Sequence, residues 1–131
     1  MPPRILIVDD EPNIVLSLEF LLTGEGYAVA IAGDGAAAWR QVHAFRPDLL
    51  LLDVMMPVMN GYEICRRLRA DPQLSTTKIV LLTARSRHAE TARGTAIGAD
   101  AFLTKPFSTR ELVSIVRRLL PLPAHPKAAP R

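Results

Sequence analysis

Short apolar runs alternate with amphipathic stretches along most of this chain. Arg4 to Val8 reads as a buried strand. Behind it Ile14, Leu18, Leu21 and Leu22 fall on one helical stripe, with Pro12 in the first turn and Gly24 and Gly26 at the stop. Tyr27 to Ile31 predicts a second strand and Gly33-Asp34-Gly35 a turn. Ala38, Trp39, Val42 and Phe45 mark a second helix that closes before Pro47. Leu49 to Leu52 is the third strand. Asn60 to Ala70 predicts a third helix with Ile64, Cys65 and Leu68 inward, ended by Asp71-Pro72. Ile79 to Leu82 is the fourth strand. A weaker helix over about Arg87 to Ile97 has mostly alanine inward and is interrupted by Gly94. Ala101 to Thr104 makes a short fifth strand. The last helix opens with Ser108 and Glu111 in capping-box spacing and carries Leu112, Ile115, Val116, Leu119 and Leu120 on its stripe.

Strand and helix therefore alternate five times, and most strands are continuous apolar runs. Both features predict an α/β fold, a parallel sheet covered by helices on both faces, with right-handed crossovers. The 131 residues fit one domain over residues 1–120. Pro121, Pro123, Pro126 and Pro130 forbid further helix, so residues 121–131 are expected to be a linker or tail.

Composition narrows the function. With 49% hydrophobic and 22% charged residues the chain can bury a core. Cys65 is the single cysteine, which excludes an internal disulfide, and its apolar neighbours suggest inert packing. Only four apolar residues separate Arg4 from Asp9, so no leader is expected, and no run is long enough to span a bilayer. A cytoplasmic protein is the expectation. The net charge is +3 and the pI near 9.5, yet the arginines are scattered. Arg66, Arg67 and Arg69 are expected on one solvated helix face and Arg117 and Arg118 on another, so no nucleic-acid contact by this domain is predicted. His43, His88 and His125 lack metal-ligand spacing.

The residues just after the strands carry the chemistry. An open parallel sheet gathers them on one edge. Asp9, Asp10 and Glu11 follow the first strand, Asp53 the third, Thr83 and Ala84 the fourth, and Lys105 and Pro106 the fifth. Asp53 ends a run of four leucines, where a charge is costly unless something meets it. Crowded carboxylates raise one another's pKa, and a hard divalent cation relieves that. Asp53 can then stay ionised as a nucleophile toward phosphorus, with the cation, the Lys105 ammonium and the Thr83 hydroxyl on the phosphoryl oxygens. Asp9 or Asp10 alone would also serve as the N-cap of the helix beginning near Pro12.

These residues resemble a known family. Ile5 to Glu11, Leu50 to Pro57, Gly61, Leu82-Thr83-Ala84, Gly98 to Phe102 and Lys105-Pro106-Phe107 are similar, in order, to the response-regulator receiver domain of two-component signalling, within the CheY-like superfamily. The resemblance implies a flavodoxin-like, doubly wound (βα)5 three-layer sandwich with strand order 2-1-3-4-5. It implies Asp53 as phosphoacceptor. Asp10, Asp53 and the backbone carbonyl of Met55 would be direct ligands for Mg2+ or Mn2+, and Asp9 a ligand that often acts through water. Thr83 and Phe102 would be switch residues, Lys105 the ion-pair partner, and Pro106 would follow a cis peptide bond. Phe102 stands where tyrosine is common, so a switch hydroxyl is missing. The implied partners are a sensor histidine kinase or phosphotransfer protein and a C-terminal effector, with no membrane. Ala101 and Ile115 replace charges of a familiar pairing face, so the expected state is a monomer or a weak phosphorylation-dependent dimer.

Other classes fit less well. An aspartyl-nucleophile phosphatase needs a second acid two residues after Asp53, where Met55 stands. A flavin or nucleotide site needs a glycine-rich loop where Asp9-Asp10-Glu11 stand. A pseudo-receiver that accepts no phosphate is disfavoured by the intact acidic set.

Overall fold

The computed structural model describes residues 2–56, 61–83 and 98–122. The expected helix over 87–97, Pro57, Ala84 and the tail beyond Leu122 lie outside them. The described elements are β1 (Arg4–Val8), α1 (Pro12–Gly24), β2 (Ala28–Ala32), α2 (Gly35–Phe45), β3 (Leu49–Asp53), α3 (Gly61–Ala70), β4 (Lys78–Thr83), β5 (Ala101–Thr104) and α4 (Thr109–Leu119). The sheet is wholly parallel with order β2-β1-β3-β4-β5. This is the doubly wound α/β sandwich expected from the sequence.

Strand residues alternate between two cores. Leu6, Val8, Leu50, Leu52, Ile79 and Leu81 pack with Ala38 and Val42 of α2 and Ile64, Cys65 and Leu68 of α3. Ile5, Ile7, Leu49, Leu51, Val80 and Leu82 pack with Leu18 and Leu22 of α1 and Leu112 and Val116 of α4. Helices thus cover both faces, which is why four leucines in a row suit β3 and all four have zero exposure. Each such side chain contributes about 1.5–3 kcal/mol on burial.

Several local expectations shift. β2 begins one residue later than the sequence pattern suggests, at Ala28, because the Tyr27 amide closes α1 on the Leu22 carbonyl at 3.2 Å; the buried Tyr27 side chain donates its hydroxyl to the Leu120 carbonyl at 2.8 Å. The N-cap of α1 is Glu11, neither Asp9 nor Asp10, and its side chain makes no capping bond. The Ser108–Glu111 capping box opens α4 as expected. Arg69 departs from the solvated face predicted for it. Its guanidinium donates to the carbonyls of Gly98, Ser75 and Thr77 and to Asp100 Oδ2, at 2.7–3.0 Å. Asp100 Oδ2 also accepts the Ile79 amide. The Arg69 fork therefore ties the end of α3 to the starts of β4 and β5. Arg117 pairs with Glu25 across the α4–α1 side.

Gly61 is where α3 meets β3. A Cβ there would lie 2.6 Å from the Asp53 carbonyl oxygen and 3.0 Å from Val54 Cα, a clash with backbone that no side-chain rotation relieves. Gly24 has nothing within 4 Å. Gly61→Ala is therefore expected to cost about 1–3 kcal/mol in chemical denaturation, and Gly24→Ala to cost nothing. Equal stabilities for the two variants would refute the close approach.

Candidate functional site

Register sets the site. Val8 pairs with Leu52 and with Ala32, so Asp9 and Asp53 leave adjacent strands at the same level. Thr83 pairs with Thr104, so Lys105 emerges one step beyond Thr83. The ladder runs on past the strand ends. The amide of Asp9 donates to the Ala32 carbonyl, that of Val54 to Leu82 and that of Lys105 to Thr83, the last at 2.7 Å. The Lys105–Pro106 peptide bond is cis.

The structure brings Asp9, Asp10, Asp53 and Lys105 together. One carboxylate oxygen from each aspartate lies within 4.8 Å of the others. Asp9 and Asp53 are buried, at 1% and 4% exposure, while Asp10 is exposed. Each buried aspartate has one oxygen tied to backbone. Asp9 Oδ1 accepts the Glu11 amide at 2.9 Å, and Asp53 Oδ1 accepts the Met55 amide at 3.0 Å. The Oδ2 atoms face Lys105, whose Nζ stands 2.8 Å from Asp9 and 3.5 Å from Asp53. A third carboxylate completes the set, with Glu11 Oε1 at 2.9 Å. Thr83 ends β4 at 2% exposure. Phe102 is half-buried in β5, packed on the α2–α3 core. Met55 leaves its side chain half-exposed and reaches Asp53 through its backbone.

Burial is the main reason the Asp53 carboxyl is held above its ordinary pKa. Asp9 and Asp10 push the same way, and the Met55 amide and Lys105 oppose them. Burial would by itself lower Lys105. Contacts with Asp9 and Glu11 and the charge of Asp53 more than reverse it, so the ammonium is held firmly charged. Burial likewise raises the Cys65 thiol, in keeping with a packing residue.

The aspartates suit a divalent cation. Asp9 Oδ2 is buried and has no regular hydrogen-bond donor among the described residues; the Lys105 approach is an ion pair off the hydrogen-bond line. Such an oxygen is a ligand atom left available, and an all-oxygen set fits a hard cation.

The Glu11 contact with Lys105 was not signalled by sequence. Strand-end gathering puts Glu11 on the same edge as Lys105, but only the fold shows it turned to that lysine, 94 positions away. His43 bonds the Trp39 carbonyl within α2, remote from the site. Among the described residues no helix is long and apolar enough to cross a membrane.

Comparison with known proteins agrees with this geometry. The model of the response regulator receiver domain matches residues 5–117. The DNA-binding response regulator MtrA of Mycolicibacterium smegmatis is 47% identical over 120 residues, covering 92% of this chain and 51% of that protein. The phosphate regulon transcriptional regulatory protein PhoB of Rhizobium meliloti is 42% identical, covering 92% and 53%. The chain spans about half the length of such relatives. Among solved structures, a response regulator from Chloroflexus aurantiacus, itself identified only by similarity, superposes with a TM-score of 0.86 at 38% identity, covering 91% of this chain and 98% of that one. The receiver domain of a sensor histidine kinase from Pseudomonas aeruginosa, with a magnesium ion coordinated in its active site cleft, gives 0.81 at 32% identity, covering 91% and 98%. The sheet order, the acidic cluster beside Lys105 and the match over residues 5–117 come to one conclusion: this chain belongs to the response regulator receiver domain family.

Proposed function

We propose that Asp53 accepts a phosphoryl group from a phosphohistidine on a sensor histidine kinase or phosphotransfer protein. The observation that carries this reading is the meeting of Asp53, Asp9, Asp10 and Lys105 on one sheet edge. Asp9, Asp10, Asp53 and the Met55 carbonyl would hold Mg2+ or Mn2+, and a bound cation supplies charge neutralisation at the phosphoryl oxygens. An Asp53 oxygen attacks phosphorus, the O–P bond forms, the N–P bond breaks, and the imidazole leaves with the electron pair. Lys105 stands 3.5 Å from Asp53 and covers one phosphoryl oxygen. No acidic side chain stands two residues after Asp53, where a phosphatase needs its proton donor, so the acyl phosphate persists as a signal rather than turning over quickly.

The new charge draws the Thr83 hydroxyl toward the phosphoryl group and opens room for Phe102 to turn inward. The surface around β5 and α4 then shifts between two populations. Residues 1–120 form the receiver unit, and the proline-rich residues after it are a linker or tail. The domain works in the cytoplasm, as a monomer or a weak phosphorylation-dependent dimer, and contacts no nucleic acid itself.

Incubation with magnesium and acetyl phosphate should add one acid-labile phosphoryl group by intact mass. Asp53→Asn should add none, and a phosphorylated variant would sink the assignment. With beryllium fluoride, amide spectra should change around Thr83 and Phe102; a change confined to the acidic cluster would refute the coupling, and Thr83→Ala should weaken it.

The raised Asp53 pKa also fixes a sign. A carboxyl with a raised folded-state pKa favours the fold while protonated and loses that contribution as pH rises through the folded value. Without divalent cations, Asp53→Asn should therefore raise the melting temperature at about pH 7, and the gain should shrink as pH falls toward about 4, the ordinary carboxyl range. A gain that stayed constant over this interval would show that Asp53 carries no electrostatic cost.

A further inference from the structure

The Lys105 ammonium has three carboxylate neighbours, and they are not equivalent. Asp9 and Asp53 belong to the trio whose oxygens converge within 4.8 Å; Glu11 does not. Asp9 Oδ1 already accepts the Glu11 amide, so Oδ2 is its less engaged oxygen. That Oδ2 is the atom Lys105 approaches to 2.8 Å. A divalent cation arriving beside that oxygen competes with the ammonium for its negative charge, because the two like charges repel in a poorly solvated site. With a cation held by the aspartates, Asp9 would hold Lys105 less tightly. Asp53 at 3.5 Å is the looser contact and also belongs to the trio. Glu11 remains. Its Oε1 is already 2.9 Å from Nζ, and the side chain makes no capping bond to α1. It is mostly exposed while Lys105 is only 12% exposed, so the pair bridges the mouth of the site and its interior.

We propose that Glu11 is a positioning residue for Lys105: it is the seat that keeps the ammonium beside Asp53 once a divalent cation has taken Asp9. This rests on the phosphoacceptor reading above. It assigns Glu11 a task separate from metal binding and separate from capping α1. Loss of the seat leaves Lys105 held by Asp53 alone, so the ammonium is ordered less often where a phosphoryl oxygen will arrive.

Two measurements test it. The first is the rate of Asp53 phosphorylation by acetyl phosphate at saturating magnesium, followed against donor concentration. The proteins are the wild type, Glu11→Gln, Lys105→Ala and the double variant. Positioning predicts that Glu11→Gln lowers the limiting rate constant roughly two- to fivefold, the size of one partly exposed charge contact. It also predicts that the same change has no further effect in the Lys105→Ala background. Simple repulsion of an anionic donor by Glu11 would instead change the half-saturating concentration equally in both backgrounds, and that result overturns the proposal. The second measurement needs no turnover. In the magnesium-loaded, unphosphorylated protein, the Lys105 ammonium is followed by nitrogen NMR relaxation. It should be ordered in the wild type and in Glu11→Asp at least in part, and mobile in Glu11→Gln. Equal order in wild type and Glu11→Gln overturns the proposal even if Lys105→Ala is too slow to assay. A wild type that takes no phosphoryl group on Asp53 would instead overturn the phosphoacceptor reading, leaving the ammonium measurement to stand by itself.

Discussion

Three carboxylates held within 4.8 Å of one another repel, and the rest of the site exists because of that repulsion. Two of the aspartates are buried, where water screens little. The protein answers with fixed partners rather than with solvent. Backbone amides of Glu11 and Met55 each take one oxygen, and Lys105 takes most of what is left. The remaining imbalance still holds Asp53 above the usual carboxylate range. A carboxylate kept uneasy in this way gains from any positive charge that reaches it, which suits the proposed role of meeting a cation and then a phosphorus atom.

The sheet makes the repulsion unavoidable. Pairing of Val8 with Leu52 delivers Asp9 and Asp53 side by side, and the strands are fixed by buried aliphatic side chains on both faces. A one-residue slip of β3 would exchange its two faces and carry Asp53 into a core, so register and site are specified together. Gly61 pressed on the Asp53 carbonyl holds this edge, and Arg69, tying α3 to the starts of β4 and β5, holds the opposite one.

The fold was readable because its signals are repeated and local: apolar runs with a common length, helical stripes, and the glycines and prolines between them. The site was readable for a related reason. In an open parallel sheet the ends of strands gather, so Asp9, Asp53 and Lys105 could be placed together without knowing any distance. What the chain did not disclose depends on long side chains choosing among distant partners. Arg69 lies on the helical face that periodicity assigns to solvent, yet a guanidinium reaches well past its own helix and finds carbonyls near residues 75 and 98. Glu11 occupies a capping position and ignores it in favour of Lys105. The one-residue displacement of β2 has a local origin instead, since the Tyr27 amide is spent on the Leu22 carbonyl where α1 closes.

The lysine nested among acids has a consequence for how the molecule comes into being. Small metal-dependent domains often cannot fold until their ion arrives, because nothing else offsets the charges gathered at the site. Here Lys105 is part of the polypeptide and comes with the last strand. The chain carries its own provisional counter-ion. An ion pair within the chain thus offsets part of the repulsion that an external ion would otherwise have to relieve.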